Sequence, residues 1–320
     1  MQTTLVAAFL EFSRTALSMS SAGILLFLIA LWAVHADFTR ARGLDKIVAL
    51  SNLCFAIPLA VFGAEHLSAA RGIMAGVPSY MPWRLFWAYF VGFALLAASL
   101  SIATKIQVRW SGLLFGIMMF LFVAMLDIPG TLADPKNRFS WILTLREMSF
   151  GSGGWIFAGY SILAGYSILA GSASPHPVRR QAGSRLIAIG RVIIGITATV
   201  YGVEHFLHPA HVPGVPLEKL MPPWIPAHLL ISCLTGVILC VAGACILLGW
   251  KTRQAATYLG TWILLLVVFL YGPILMVSLA DPSTAVKVEG LNYFFDTLLF
   301  AGAILALASA SPRSSQNAAA

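Results

Sequence analysis

The sequence predicts an all-α, polytopic membrane protein of about nine transmembrane helices, each long enough to cross a bilayer. Three observations carry that reading. Hydrophobic residues make up 59% of the chain and charged residues 10%, where soluble domains carry about a quarter charged. The apolar residues fall in runs of about 20, the length of a bilayer crossing. The chain also repeats itself: Phe62-Gly63-Ala64-Glu65-His66 returns as Tyr201-Gly202-Val203-Glu204-His205. After the first copy come Val77-Pro78, Pro82-Trp83, Gly92, Arg109 and Pro129. After the second come Val215-Pro216, Pro223-Trp224, Gly236, Arg253 and Pro273, at an offset that drifts by only a few residues.

Apolar runs near 18–38, 46–66, 85–104, 110–130, 148–171, 186–207, 227–249, 254–279 and 291–310 are the expected spans. Residues 1–42 hold an amino-terminal segment, expected along the membrane interface through Leu5, Phe9, Leu10 and Phe12, and one extra span. Residues 43–171 form the first four-helix repeat, 172–186 a cytoplasmic linker, 187–311 the second repeat and 312–320 a polar tail. The linker reading rests on Ala173–Gly183, which is basic and contains two prolines. Four spans per copy start both copies on one side. The repeats are therefore parallel, related by a pseudo-twofold along the membrane normal. A smaller duplication, AGYSIL at Ala158–Leu163 and Ala164–Leu169, joins Gly151, Gly153, Gly154 and Gly171 in a small-residue helix suited to close packing in lipid.

A pI near 9.6 invites a nucleic-acid reading, but the placement of the charges excludes it. Arg40, Arg42, Lys46, Lys105, Arg109, Arg179, Arg180, Arg185, Lys251, Arg253 and Arg313 gather on one side, with only Asp37 and Asp45 against them. Most acids sit on the other. Basic loops mark the cytoplasmic face. The amino terminus is then expected outside and the carboxyl terminus inside, with the chain in the plasma membrane. Cys54, Cys233, Cys240 and Cys245 lie in spans without a CxxC and read as small apolar residues.

Glutamate at the carboxyl end of a helix opposes the helix dipole. Keeping Glu65 and Glu204 there in both copies points to a partner or a task, with His66 and His205 beside them. The site could bind a quinone head group or small solute, relay protons or hold a metal. Alternatively, each Glu pairs with an arginine, among Arg71, Arg84, Arg138 and Arg146, and pins a loop. The loops that follow, rich in proline with Tyr80, Trp83 and Trp224, read as ordered flaps over the helix ends. His205, His208 and His211, with Glu218 and His228, have ligand chemistry for a metal. Against that, Pro209 and Pro213 break the helix and the first copy has no match for His208 or His211. Haem finds no CxxCH and no axial histidine pair. Glu147 and Asp296 read as acids at the start of the last helix of each copy, complementing its dipole. Asp127 corresponds to Tyr271 and Phe62 to Tyr201, so the two half-sites are similar but unequal. No GxSxG, Walker loop or HExxH is present.

With Gly-x-Glu-His, the Pro-Trp loop, small residues such as Gly236 and Gly243, the basic turn at Arg109 or Arg253 and the third-helix proline, each copy resembles the DoxX-like membrane proteins. The likeness covers about 43–171 and 187–311. That family takes its name from a subunit of an archaeal thiosulfate:quinone oxidoreductase, and relatives are similar to accessory factors in methylamine utilisation and to membrane partners of redox enzymes. The resemblance implies four-helix units with a site near the outer helix ends, carried here by Glu65, His66, Glu204 and His205. Related sequences tend to have histidine before the third-helix proline, where this chain has Asp127 and Tyr271. The expected function is an integral subunit or accessory protein of a bacterial redox system, contacting quinone or a partner membrane protein. A small-solute permease and a scaffold that docks a membrane or secreted enzyme are the alternatives.

Overall fold

The computed structural model describes residues 2–169, 177–215 and 219–312. Gly171, residues 172–176 of the expected linker, Pro216, Glu218 and residues 313–320 of the expected tail, Arg313 among them, lie outside the described residues, as do the side chains of Leu5, Phe9, Leu10, Phe12 and Arg179. The chain is built of helices: α1 Gln2–Arg40, α2 Asp45–Ala49, α3 Ser51–Ser68, α4 Ala70–Ile73, α5 Arg84–Thr104, α6 Val108–Phe122, α7 Ile128–Ala133, α8 Arg138–Leu169, α9 Pro177–Leu207, α10 His228–Leu248, α11 Thr252–Leu266, α12 Gly272–Ala280 and α13 Thr284–Ala310. The one extended pairing among the described residues is the isolated bridge His211–Leu220.

Eight helical stretches among the described residues are long and apolar enough to cross a membrane. The span expected at 148–171 falls on α8, which is not one of them. At 32 residues it exceeds the length a crossing needs. Gly151, Gly153, Gly154, Ser149, Ser152, Arg146 and Glu147 make it less apolar. Its neighbours are α6, α9 and α13, so much of its surface packs against protein. No break separates the amino-terminal segment from the first span, since α1 is one helix. Pro177 opens α9 inside the expected linker. A proline suits a first helical turn, where its missing N–H would have had no partner.

At the centre stand α3 and α13, whose apolar windows are 72% and 78% buried, against 28–39% for the other spans. Leu25, Leu28 and Trp32 of α1, Phe86 and Phe93 of α5 and Met276 and Val277 of α12 are exposed. An outer surface of this kind suits a lipid bilayer. Glycine explains part of the repeated motif. A Cβ on Gly63 would stand 3.0 Å from the Gly92 carbonyl oxygen, and one on Gly202 would stand 2.9 Å from that of Gly236. In both places the helix ending in Glu-His crosses the next span at backbone distance, the contact that replaces hydrophobic expulsion in lipid.

Other local features recur in step. Lys105 and Gln107, then Gly249 and Lys251, take positive φ at the turn between the second and third spans of each copy. A π-helical turn, Val123–Asp127 and later Val267–Tyr271, precedes each third-span proline. Proline removes an N–H and crowds the preceding turn. The widened turn lets the helix run on through Pro129 into α7 and through Pro273 into α12.

Candidate functional site

Both Glu-His pairs lie at the carboxyl ends of their helices, and their local geometry matches. His66 Nδ1 is 2.8 Å from the Phe62 carbonyl oxygen, and His205 Nδ1 is 2.5 Å from that of Tyr201. A carbonyl only accepts, so Nδ1 carries the proton in each ring. Beyond that the copies part.

In the second copy the Glu-His pair itself is engaged at both residues, although Arg138 Nη2 beside it is buried without a hydrogen-bond partner among the described residues. The Gly214 N–H donates to His205 Nε2 at 2.9 Å, which leaves neither ring nitrogen for a ligand, and His205 is 3% exposed. Glu204 pairs with Arg138, and His208 Nε2 stands 3.8 Å from its Oε2. The Tyr271 hydroxyl donates to the Pro213 carbonyl at 2.9 Å, and Tyr201 donates to that of Ile142 at 2.9 Å. The loop over this tip is thus drawn in, with Val212, Pro213, Gly214 and Val215 buried. Gly214 makes the inward turn at φ +116°, a conformation open to glycine. His205, His208 and His211 do not converge: the His208 and His211 rings meet edge-on at 5.8 Å, while His205 is locked behind them. His211 Nδ1 contacts the His208 carbonyl at 3.3 Å. Partial burial, then the nearby Arg138 charge, lowers the His211 pKa below that of a free imidazole. Among the described residues no group of three or more His, Cys, Asp or Glu is placed to hold a metal ion.

The first copy opens onto a polar cluster. Asn292 Nδ2 of α13 donates to Glu65 Oε1 at 3.2 Å. One helical turn further, Asp296 Oδ2 accepts from Arg146 Nη1 at 2.6 Å, and Glu147 Oε1 is 3.6 Å from Arg146 Nη2. Asp127 of the π-turn lies within electrostatic range of the same guanidinium, and Glu65 within range of Asp296. Asp127 of the π-turn, Glu147 of α8 and Asp296 of α13 thus surround one arginine, and Glu65 of α3 joins them through Asn292 and Asp296. Asp127 Oδ2, Arg146 Nε and Asn292 Oδ1 are buried with no hydrogen-bond partner among the described residues. A buried polar atom left without a partner costs about 1–3 kcal/mol, so three in one cluster mark a place for a polar ligand or water.

Several expectations change. Glu147 lies in the third turn of α8, and Asp296 lies deeper still in α13. The dipole acts over the first turn, so it does not account for either acid; the Arg146 guanidinium does. Of the arginines considered as partners for the Glu pair, Arg138 takes Glu204, Arg146 anchors Asp296, and Arg84 holds its own loop through the Val77 and Ala75 carbonyls at 2.8 and 2.9 Å. Trp83 and Trp224 remain 80% and 51% exposed, outside the cluster. Sequence reasoning did not single out Asn292, although Asn292 and Asp296, four apart in an apolar helix, share one face.

No family model matches the chain, and no curated protein or solved structure matches it.

Proposed function

We propose that the protein is an integral subunit or accessory protein of a bacterial membrane redox system, and that the Arg146 cluster engages a quinone head group and exchanges protons with it. In this reading two like-oriented DoxX-like units sit side by side in the plasma membrane, with the Glu-His tips outside and the carboxyl terminus in the cytoplasm. The observation that supports the quinone assignment is the set of spare groups. Asp127 Oδ2 and Asn292 Oδ1 accept, as two quinol hydroxyls require, and Arg146 Nε donates, as a quinone carbonyl requires. Access also fits a lipid-soluble ligand: Leu126 and Ile128, on either side of Asp127, are exposed on the outer surface of the bundle. Glu65 and Glu147 complete the set of nearby proton acceptors.

The test is titration of the detergent-purified chain with decylubiquinone, read by quenching of tryptophan fluorescence. Saturable binding is expected, weakened about tenfold by Asp127→Asn or Glu65→Gln, the worth of a hydrogen bond to a charged group. Glu204→Gln should leave it unchanged. Absence of saturable binding, or equal loss in all three variants, refutes the reading.

A further inference from the structure

At the end of the bundle opposite the Arg146 cluster, a cleft of about 1050 Å³ opens between the α1–α2 turn, α9, the α10–α11 turn and the end of α13. Arg42, Arg191, Lys251 and Arg253 line it, with Asp45 as the one carboxylate among the described residues. Two of these cations are built into the wall. Arg191 Nη1 donates to the Ile246 and Leu247 carbonyls at 2.6 and 2.8 Å, and carbonyls leave its charge uncompensated. Arg253 donates to the Ala308 carbonyl at 2.8 Å and to Asp45 at 2.6 Å, so the single acid is already taken. Gly249, at φ +72°, lets the chain turn closely past Arg191: a Cβ there would meet Arg191 Nη1 at 3.2 Å. Arg42 and Lys251 are exposed at the rim, and Lys251 lies 5.0 Å over the Trp250 ring. The first residues of α11, Thr252, Arg253 and Gln254, also line the cleft, and the helix starts without a side-chain cap.

The neighbouring cleft of about 920 Å³ provides the contrast. It holds Arg40, Lys105 and Arg253 together with Asp37 and Asp45, and Lys105–Asp37 and Arg253–Asp45 are paired. Its charge is largely answered within the protein, whereas that of the Arg191 cleft is not. Apolar residues continue the Arg191 cleft outward: Leu44 and Tyr258 belong to its lining and are exposed. A charged floor running into an apolar rim at a membrane boundary matches a molecule with an anionic head and an acyl tail.

We propose that the Arg191 cleft is a phosphate-binding site fitted to the head group of an anionic phospholipid. Fixed guanidinium groups supply forked donors to the phosphate oxygens, the uncapped α11 turn adds backbone N–H donors, and the rim cations attract the head group. The site is separate from the Arg146 cluster and stands whether or not that cluster binds quinone.

The full chain in mild detergent is titrated with dioleoyl phosphatidylglycerol, with dioleoyl phosphatidylcholine and with inorganic phosphate, bound species being counted by native mass spectrometry. Phosphatidylglycerol should bind in preference to phosphatidylcholine and be displaced by excess inorganic phosphate. Arg42→Gln with Lys251→Gln changes only the rim, leaving the bonds of Arg191 and Arg253 in place, and should weaken phosphatidylglycerol binding about tenfold. Equal binding of the two lipids, or undiminished phosphatidylglycerol binding by the double variant, overturns the proposal. Saturable inorganic phosphate without any preference for phosphatidylglycerol overturns the lipid assignment and leaves a soluble phosphate compound as the ligand.

Discussion

At Glu204-His205 the loop that follows the helix folds inward, while at Glu65-His66 it stays outside. The helices beneath are alike, each crossing its neighbour through glycine and tying Nδ1 to the carbonyl four residues back. The difference is made from above. In the second copy Tyr271 reaches the Pro213 carbonyl and Gly214 turns under it, bringing an N–H to His205. In the first copy Asp127 stands at the position of Tyr271. Its side chain is too short to hold a loop, and one oxygen is left buried without a partner. The comparison teaches that a repeated motif fixes a local shape, whereas the residue facing it from another helix decides whether the tip becomes a structural lock or an open polar site.

The sharpest way to break this comparison is at the shared arginine. Arg146→Leu should cost about 3–5 kcal/mol, because Asp296 and Glu147 are left buried without a counter-charge. The outcome is read as loss of monodisperse protein on size exclusion and a lower thermal midpoint in detergent. Adding Asp296→Leu should recover part of it, since a buried pair replaced by apolar residues is often neutral while Glu147 still lacks its counter-charge. A single variant as stable as the parent would show that Arg146 is no hub.

Next comes the lock itself. His205→Ala should cost about 2–4 kcal/mol, combining a cavity with an orphaned Gly214 N–H. The same change at half-buried His66 should cost about 1 kcal/mol, the worth of its single observed bond. Equal thermal shifts in the two variants would mean that the copies play the same role. A smaller effect, about 1 kcal/mol, belongs to Tyr271→Phe, which loses one buried hydrogen bond. Limited proteolysis should then cut faster within 208–215, and an unchanged cleavage rate would remove Tyr271 as the clasp. Smallest is Glu204→Gln, at about 0.5–1 kcal/mol, because the glutamine oxygen can still accept from Arg138 in this partly buried pair, with decylubiquinone binding retained.

Much of the scaffold was legible before any coordinates. Apolar runs marked eight of the membrane-length stretches, and the paired third-span prolines were visible as a repeat, although the π-turns before them were not. The span at 148–171 was legible as a helix through its small residues. Its start was misplaced because Arg138–Glu147 is polar for reasons that lie in other helices. Glu147 and Asp296 were misread in the same way: near the edge of an apolar run, an acid looks like a helix start. Asn292 carried no local signal beyond being polar in an apolar stretch.

Composition, periodicity and punctuation act over a few turns of one helix, so the sequence by itself determined an all-helical chain, its membrane-length spans, its turns and the glycine positions where spans cross. The Arg146 cluster gathers residues from α3, α8, α13 and the π-turn, and the Arg191 cleft gathers others from the α1–α2 turn, α9, the α10–α11 turn and the end of α13. Charges on separate helices interact only after packing has set the distance between them and excluded water. For that reason only the tertiary structure decided which acids share an arginine, which histidine is locked and which tip is open.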